Sequence, residues 1–280
     1  MHLKTKSEIA HMRQAGLAVW RAHQAAAPLV RPGATTAEID AAVETALAAA
    51  GAAPLFKGVP GKVPFPAATC ISINEEVVHG IPGSRRLREG DVVSVDIGAR
   101  LAGWCGDAAV TYPVGSPEAL DPERARLLAV TEEALRMALS LLGVKRRWRE
   151  VAREMEAFVR GAGFHVVESL VGHGIGRNLW EPPEVPNSWT GNRHDFEIRP
   201  GLTIAIEPMV NIGTKDVRML DDGWTYVAAD GRASAHFEHT VAIAHDGPRI
   251  LTAGPDGEGW GLGPPRGAEA FLPPVHSVQH

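Results

Sequence analysis

Residues 91–113 read DVVSVDIGARLAGWCGDAAVTYP, and this stretch decides the fold. Two runs rich in β-branched and small residues flank a turn containing Leu101 to Gly103, which is the pattern of a β-hairpin. Asp96 follows the apolar run VVSV on one arm, and Asp107 stands on the other. Asp is depleted in strands, and two unpaired carboxylates side by side in a sheet repel each other and are costly to desolvate. Something positive belongs between them.

Outward from the hairpin the chain repeats one order of elements. On the N-terminal side, Ile9, Met12, Leu17 and Trp20 recur near helical spacing from Ser7 to about Ala27, before Pro28 and the RPG at 31–33. Thr35 and Glu38 then form a capping-box signature ahead of Ile39, Val43 and Leu47, with a stop at Gly51. TCISINEEVV (69–78) reads as strand. On the C-terminal side, Asp121-Pro122 opens a helix that runs to Gly143, and WREVAREMEAFVR (148–160) stops at Gly161. FHVVESLVG (164–172), LTIAIEPMV (202–210), GWTYVAA (223–229) and HFEHTVAIA (236–244) are again short β-rich runs. Helix, helix, strands, twice over, predicts one α+β domain across 1–253 with a pseudo-twofold sheet covered by helices. Residues 254–280 are rich in Gly and Pro without a periodic pattern, which predicts a flexible C-terminal tail.

Composition narrows the function. The chain has 280 residues and a net charge of −5, with a pI of about 6.2, which argues against a nucleic-acid partner. Cys70 and Cys105 are its only cysteines, too few for a disulfide framework or a thiolate zinc site. No signal-peptide core or bilayer-length apolar run occurs, so the expectation is a cytoplasmic protein with no membrane contact.

The hairpin anomaly recurs downstream. Glu207 in LTIAIEPMV and Glu238 in HFEHTVAIA are carboxylates embedded in apolar β runs, and His173 in GHGIG adds an imidazole. Four carboxylates carry a charge that two divalent cations balance, and oxygen ligands with one imidazole suit Mn, Fe(II), Co or Zn. Such a pair can activate water and polarise a carbonyl, the chemistry of metal-assisted hydrolysis. No phosphate loop, GxSxG or HExxH competes with this reading.

CISINEEVVHGIP (70–82), DVVSVDIGARLAGWCGD (91–107), GHGIG (172–176), IEPMVN (206–211) and FEHTVAI (237–243), in this order, resemble the type I methionine aminopeptidases of the pita-bread fold. The likeness runs from about residue 5 to 252. It implies Asp96 as a ligand of the first metal, Asp107 and Glu238 as bridging carboxylates, and His173 and Glu207 as ligands of the second. Glu207 would also be the general base, and His79 would contact substrate and steady the tetrahedral intermediate. Phe65, Cys70 and Trp224 would surround the methionine side chain, an apolar and polarisable lining suited to a thioether. The implied substrates are N-terminal Met peptides or nascent chains, and the expected state is a monomer.

This sequence departs from the family in one important place. Where such enzymes carry a second histidine, seven residues after that of GHGIG, Trp180 stands here. Indole donates one hydrogen bond but can neither accept one at nitrogen nor carry a proton, so slower turnover or altered substrate choice is expected. Leu179 replaces a common Phe, and Cys105 occupies a position often held by His. His236, two residues before Glu238, would share its face in a strand and hydrogen-bond that carboxylate. Two alternatives remain: a related proline-directed pita-bread peptidase, and a catalytically idle paralogue that binds peptide or protein.

Overall fold

A computed structural model describes residues 1–257. Most of the tail expected to be flexible therefore lies outside the described residues; within 254–257, the Gly257 N–H donates to the Gly254 carbonyl at 3.1 Å. Helix α1 (Lys6–Ala26) begins at a capping box that the periodicity alone did not mark: Glu8 N–H donates to the Thr5 hydroxyl at 3.3 Å, and Thr5 N–H to the Glu8 carboxylate at 2.8 Å. Helix α2 (Thr36–Ala49) starts in the same way at Thr35 and Glu38. Their apolar faces, including Val19, Ile39, Val43 and Leu47, pack on Ile71, Val93, Val95 and Ile97. Each such buried side chain contributes about 1.5–3 kcal/mol.

The strands of this half are β1 (Ala53–Pro54), β2 (Cys70–Ile73), β3 (Glu76–Val78), β4 (Val92–Leu101) and β5 (Trp104–Pro113). The long hairpin β4–β5 closes through Ala102 and Gly103, both at positive φ, as a two-residue turn of primed type requires. β1 and β2 lie end to end along the other edge of β4.

The second half opens with α3 (Pro122–Leu141), capped by Asp121, and α4 (Trp148–Gly161). Its strands are β6 (His165–Val166), β7 (Gly172–Gly174), β8 (Glu181–Val185), β9 (Thr203–Ile206), β10 (Met209–Asn211), β11 (Val217–Met219), β12 (Tyr226–Ala228), β13 (Ser234–His236), β14 (His239–Ala244) and β15 (Gly247–Ile250). Leu127, Leu135, Trp148, Val151 and Met155 of the helices pack on Val166, Ile204, Val210 and Ile243. Five strands form one sheet in the order β15-β14-β9-β7-β8, and every named strand pairing is antiparallel.

Side chains join the halves. Thr111 of β5 accepts from the His236 N–H and donates to the His236 carbonyl, both at 2.8 Å. Thr240 does the converse to Asp107, accepting from its N–H at 2.9 Å and donating to its carbonyl at 2.8 Å. Between them the Glu238 N–H donates to the Ala109 carbonyl at 2.9 Å. Two threonine hydroxyls thus extend a short antiparallel seam across the middle of the molecule, with Asp107 and Glu238 on it.

Candidate metal centre and active site

Register brings the hairpin carboxylates together. Asp96 lies opposite Cys70 on one side and Ala109 on the other, while Asp107 lies opposite Gly98. Side chains alternate with period two, so Asp96 and Asp107 project from one face as diagonal neighbours, with Cys70 beside them. The central seam carries Glu238 onto the same site.

His173 is held between two glycines whose missing side chains are essential. A Cβ at Gly172 would come within 2.4 Å of the Ala205 carbonyl oxygen, and one at Gly174 within 2.5 Å of the Pro182 carbonyl oxygen. The β7–β8 ladder shifts register between His173 and Gly174, a bulge that re-aims the imidazole. Nδ1 lies 3.0 Å from the Gly174 carbonyl and donates to it, which leaves Nε2 with its lone pair, 3.6 Å from Glu207 Oε1. Glu207 itself follows the end of β9 and precedes Pro208.

His79 occupies a left-handed backbone position at φ 60°, an uncommon conformation for a residue with a Cβ. The turn is pinned by Gly80, where a Cβ would meet the Ile71 carbonyl oxygen at 2.2 Å, and by the Ile71 N–H donating to the Gly80 carbonyl at 2.8 Å. This aims the ring into the cavity.

Every candidate site residue lines one cavity of about 240 Å³: Asp96, Asp107, His173, Glu207 and Glu238 with His79 and His236, and Phe65, Cys70, Trp180 and Trp224 around them. Asp96 Oδ1, Asp107 Oδ1 and Glu238 Oε1 are buried with no hydrogen-bond partner. Asp107, His173 and Glu238 form the closest set, each offering an atom within 4.8 Å of the others. Burial pushes the Asp107 carboxyl up to about 7, and burial with the surrounding carboxylates pushes Asp96, Glu207 and Glu238 well above the usual range. Orphaned, like-charged oxygens around a neutral imidazole are a poor packing solution and a good receptor for divalent cations. The residues fit such ions.

Three histidines here are neutral at pH 7. Burial lowers His79 and His173 to about 4 and His236 to about 3. His236 and Glu238 both line the cavity, as their two-residue spacing along the seam predicts, and the His236 imidazole Nε2 lies 3.7 Å from Glu207 Oε2.

Phe65 and Trp224 meet edge to face with ring centroids 5.2 Å apart, and the Trp224 indole N–H donates to the Val63 carbonyl at 2.8 Å. Burial, followed by the charges of Asp96 and Asp107, raises the Cys70 thiol, which suits an apolar wall rather than a nucleophile. Cys105 and Leu179 pack with Met12 and Ile175 outside the cavity lining, and burial raises Cys105 to about 11. Trp180 is at the rim, 58% exposed.

Two features escaped the sequence reading. Phe56, Val59, Val78, Leu170, Val171 and Met209 complete the wall, yet ordinary apolar residues carry no distinguishing mark. Lys4 is buried, with Nζ 2.5 Å from Glu181 Oε2; the other Glu181 oxygen accepts from the N–H groups of Arg177 at 2.8 Å and Asn178 at 3.1 Å. This clamp secures the loop that carries Trp180.

With that geometry in place, residues 10–245 match metallopeptidase family M24. The chain belongs to this family. A methionine aminopeptidase of Clostridium perfringens is 45% identical over 250 residues, covering 89% of this chain and 98% of its own. Among solved structures of M24-like fold, the methionine aminopeptidase of Thermotoga maritima superposes with a TM-score of 0.85 at 42% identity, covering 90% of this chain and 99% of that one. The prolidase of Pyrococcus furiosus shares the fold at a TM-score of 0.69 and 23% identity, with 89% of this chain and 65% of that one covered. The pita-bread architecture is common to all three.

Proposed function

We propose that this M24 protein removes methionine from the N-terminus of peptides and nascent chains, with two divalent ions among Mn, Fe(II), Co and Zn held by Asp96, Asp107, His173, Glu207 and Glu238. The observation that carries this reading is the set of buried, unpartnered oxygens on Asp96, Asp107 and Glu238, gathered beside His173. When bound, the ions supply Lewis-acid polarisation of the scissile carbonyl and a water acidic enough to attack at neutral pH.

The chain's own residues do the rest. Glu207 takes the proton of the attacking water and passes it to the leaving nitrogen. His236, neutral and 3.7 Å away, orients that carboxylate. His79, also neutral, donates an N–H to the carbonyl oxygen as it becomes tetrahedral. Phe65, Cys70 and Trp224 close over the thioether, Phe65 and Cys70 being only 3% and 4% exposed. Identities above 40% to methionine aminopeptidases, against 23% to the prolidase, favour methionine over proline-directed cleavage. Among the described residues no helix is long and apolar enough to cross a membrane, and Cys70 and Cys105 are free thiols.

Metal analysis together with cleavage of a Met-Ala-Ser peptide, with Mn, Co, Fe(II) and Zn supplied separately, tests the proposal. Bound metal with methionine release is the expected result. Bound metal with no release from a panel of peptides favours the idle binding paralogue.

A further inference from the structure

The catalytic cavity does not end at Trp180. Val171, His173 and Trp180 line both that cavity and an open groove of about 460 Å³, which continues past Pro182 and Pro183 to Glu184. We infer that this groove holds the substrate chain beyond its second residue and selects peptides with Lys or Arg at the third or fourth position. The inference rests on the aminopeptidase reading and narrows its substrate class.

Direction comes from exposure. Phe65 and Cys70 are only 3% and 4% exposed, whereas Trp180, which lines the same cavity, is 58% exposed. With the methionine side chain against Phe65 and Cys70, the rest of the peptide leaves past the exposed indole. The groove follows β8, the last strand of its sheet. Pro182 and Pro183 have no N–H, so this edge offers little for an added strand, and a peptide there is held through side chains. The exposed indole supplies a flat face for apolar stems and cationic heads.

Charge sets the preference. Glu181 and Glu184 line the groove, and no Lys or Arg does so among the described residues. Glu181 is already neutralised by Lys4. Glu184 has a side chain 59% exposed and, among the described residues, pairs with a histidine, His194 Nδ1 at 2.8 Å, and with no Lys or Arg. It therefore sets the sign of the far end. The residues Glu181 to Glu184 of β8 oppose the single step from Gly174 to His173 on β7, so the bulge sets Glu184 opposite His173, and its exposed carboxylate faces the substrate chain where it leaves the cavity.

The test compares Met-Ala-Lys-Ala-Ser, Met-Ala-Ala-Ala-Ser and Met-Ala-Glu-Ala-Ser, and a peptide with Lys moved to the fourth position. Affinities for EDTA-treated protein are measured by calorimetry alongside methionine release by the Mn(II)-loaded enzyme. The expected order is Lys above Ala above Glu in both, with about fivefold or more between the extremes, carried by KM. The spread shrinks at high salt and approaches unity in Glu184→Gln. Trp180→Ala weakens all five-residue peptides relative to Met-Ala. Equal affinities and equal kcat/KM across the series overturn the groove assignment, and so does an undiminished spread in Glu184→Gln. Ordered binding with no methionine release overturns the aminopeptidase reading and leaves the groove standing.

Discussion

The floor and the rim of the cavity are built on opposite principles. At the floor, Asp96, Asp107 and Glu238 are fixed by β4–β5 register and by a seam of threonine and backbone hydrogen bonds, and their oxygens are buried without partners. At the rim, Trp180 is exposed on a loop secured at a distance by the Lys4–Glu181 clamp. The floor is rigid where its chemistry requires cations in one place. The rim presents surface that can be exchanged without disturbing the sheets. Floor substitutions should therefore abolish turnover, and rim substitutions should re-weight substrates.

The largest expected effect is at Asp107. Asp107→Asn keeps the shape but removes a charge from the middle of the cluster, and loss of about 10³-fold in methionine release is expected, the equivalent of several kcal/mol. Metal content, measured by mass spectrometry, should fall with it. The metal-free variant should melt higher than the metal-free parent, because one member of a repelling set is gone. A variant that is equally active and equally loaded would remove Asp107 from the centre.

Metal and pH act on the same floor. A carboxyl raised to about 7 in the folded state holds its proton where the unfolded chain has lost it, so the metal-free protein loses stability from Asp107 as pH rises from about 4 to 7. The lowered histidines act oppositely. His173, at about 4, stays neutral when folded, so its contribution is lost as pH falls from 6.5 towards 4. Cations compete with the Asp107 proton, so the rise in Tm on adding Mn(II) should be larger at pH 7.5 than at pH 5.5. A metal-induced shift independent of pH would show that these carboxylates are not the ligands.

Thr240→Val probes how the floor is held. It strips the hydroxyl that serves both the N–H and the carbonyl of Asp107, leaving two buried backbone groups without that partner, at about 1–3 kcal/mol each. Activity should fall roughly 10- to 100-fold, as when partners of metal ligands are removed. Thr240→Ser, which keeps the hydroxyl, should recover most of both. Equal losses in the two variants would point to the methyl group instead.

The same contrast explains what could be read from sequence. Asp96, Glu207 and Glu238 were conspicuous because a carboxylate in a β-branched run violates strand preference, and such violations mark function. The capping boxes at Thr35 and the Asp121-Pro122 start were legible because local hydrogen bonds determine helix ends. Thr240 and Thr111 were not, since threonine is at home in any strand and its partners lie in the other half of the chain. Lys4 was invisible for a similar reason: only tertiary structure reveals that it is buried against Glu181. The 3.7 Å approach of His236 Nε2 to Glu207 had no mark in the sequence, because 29 residues separate the two and only tertiary structure brings them together.

The smallest effect, and the sharpest test of the rim, is Trp180→His. The indole lines the cavity beside His173 and can donate one hydrogen bond but accept none at nitrogen. An imidazole there could hydrogen-bond the substrate near the scissile amide in either sense. One such bond made in the transition state is worth about 1 kcal/mol, which converts to a rise of roughly fivefold in turnover of Met-Ala-Ser. The same change removes the stacking face, so selectivity among longer peptides should fall while the short one improves. An unchanged or lower rate on Met-Ala-Ser would mean that the indole at this rim does not limit the chemistry below it.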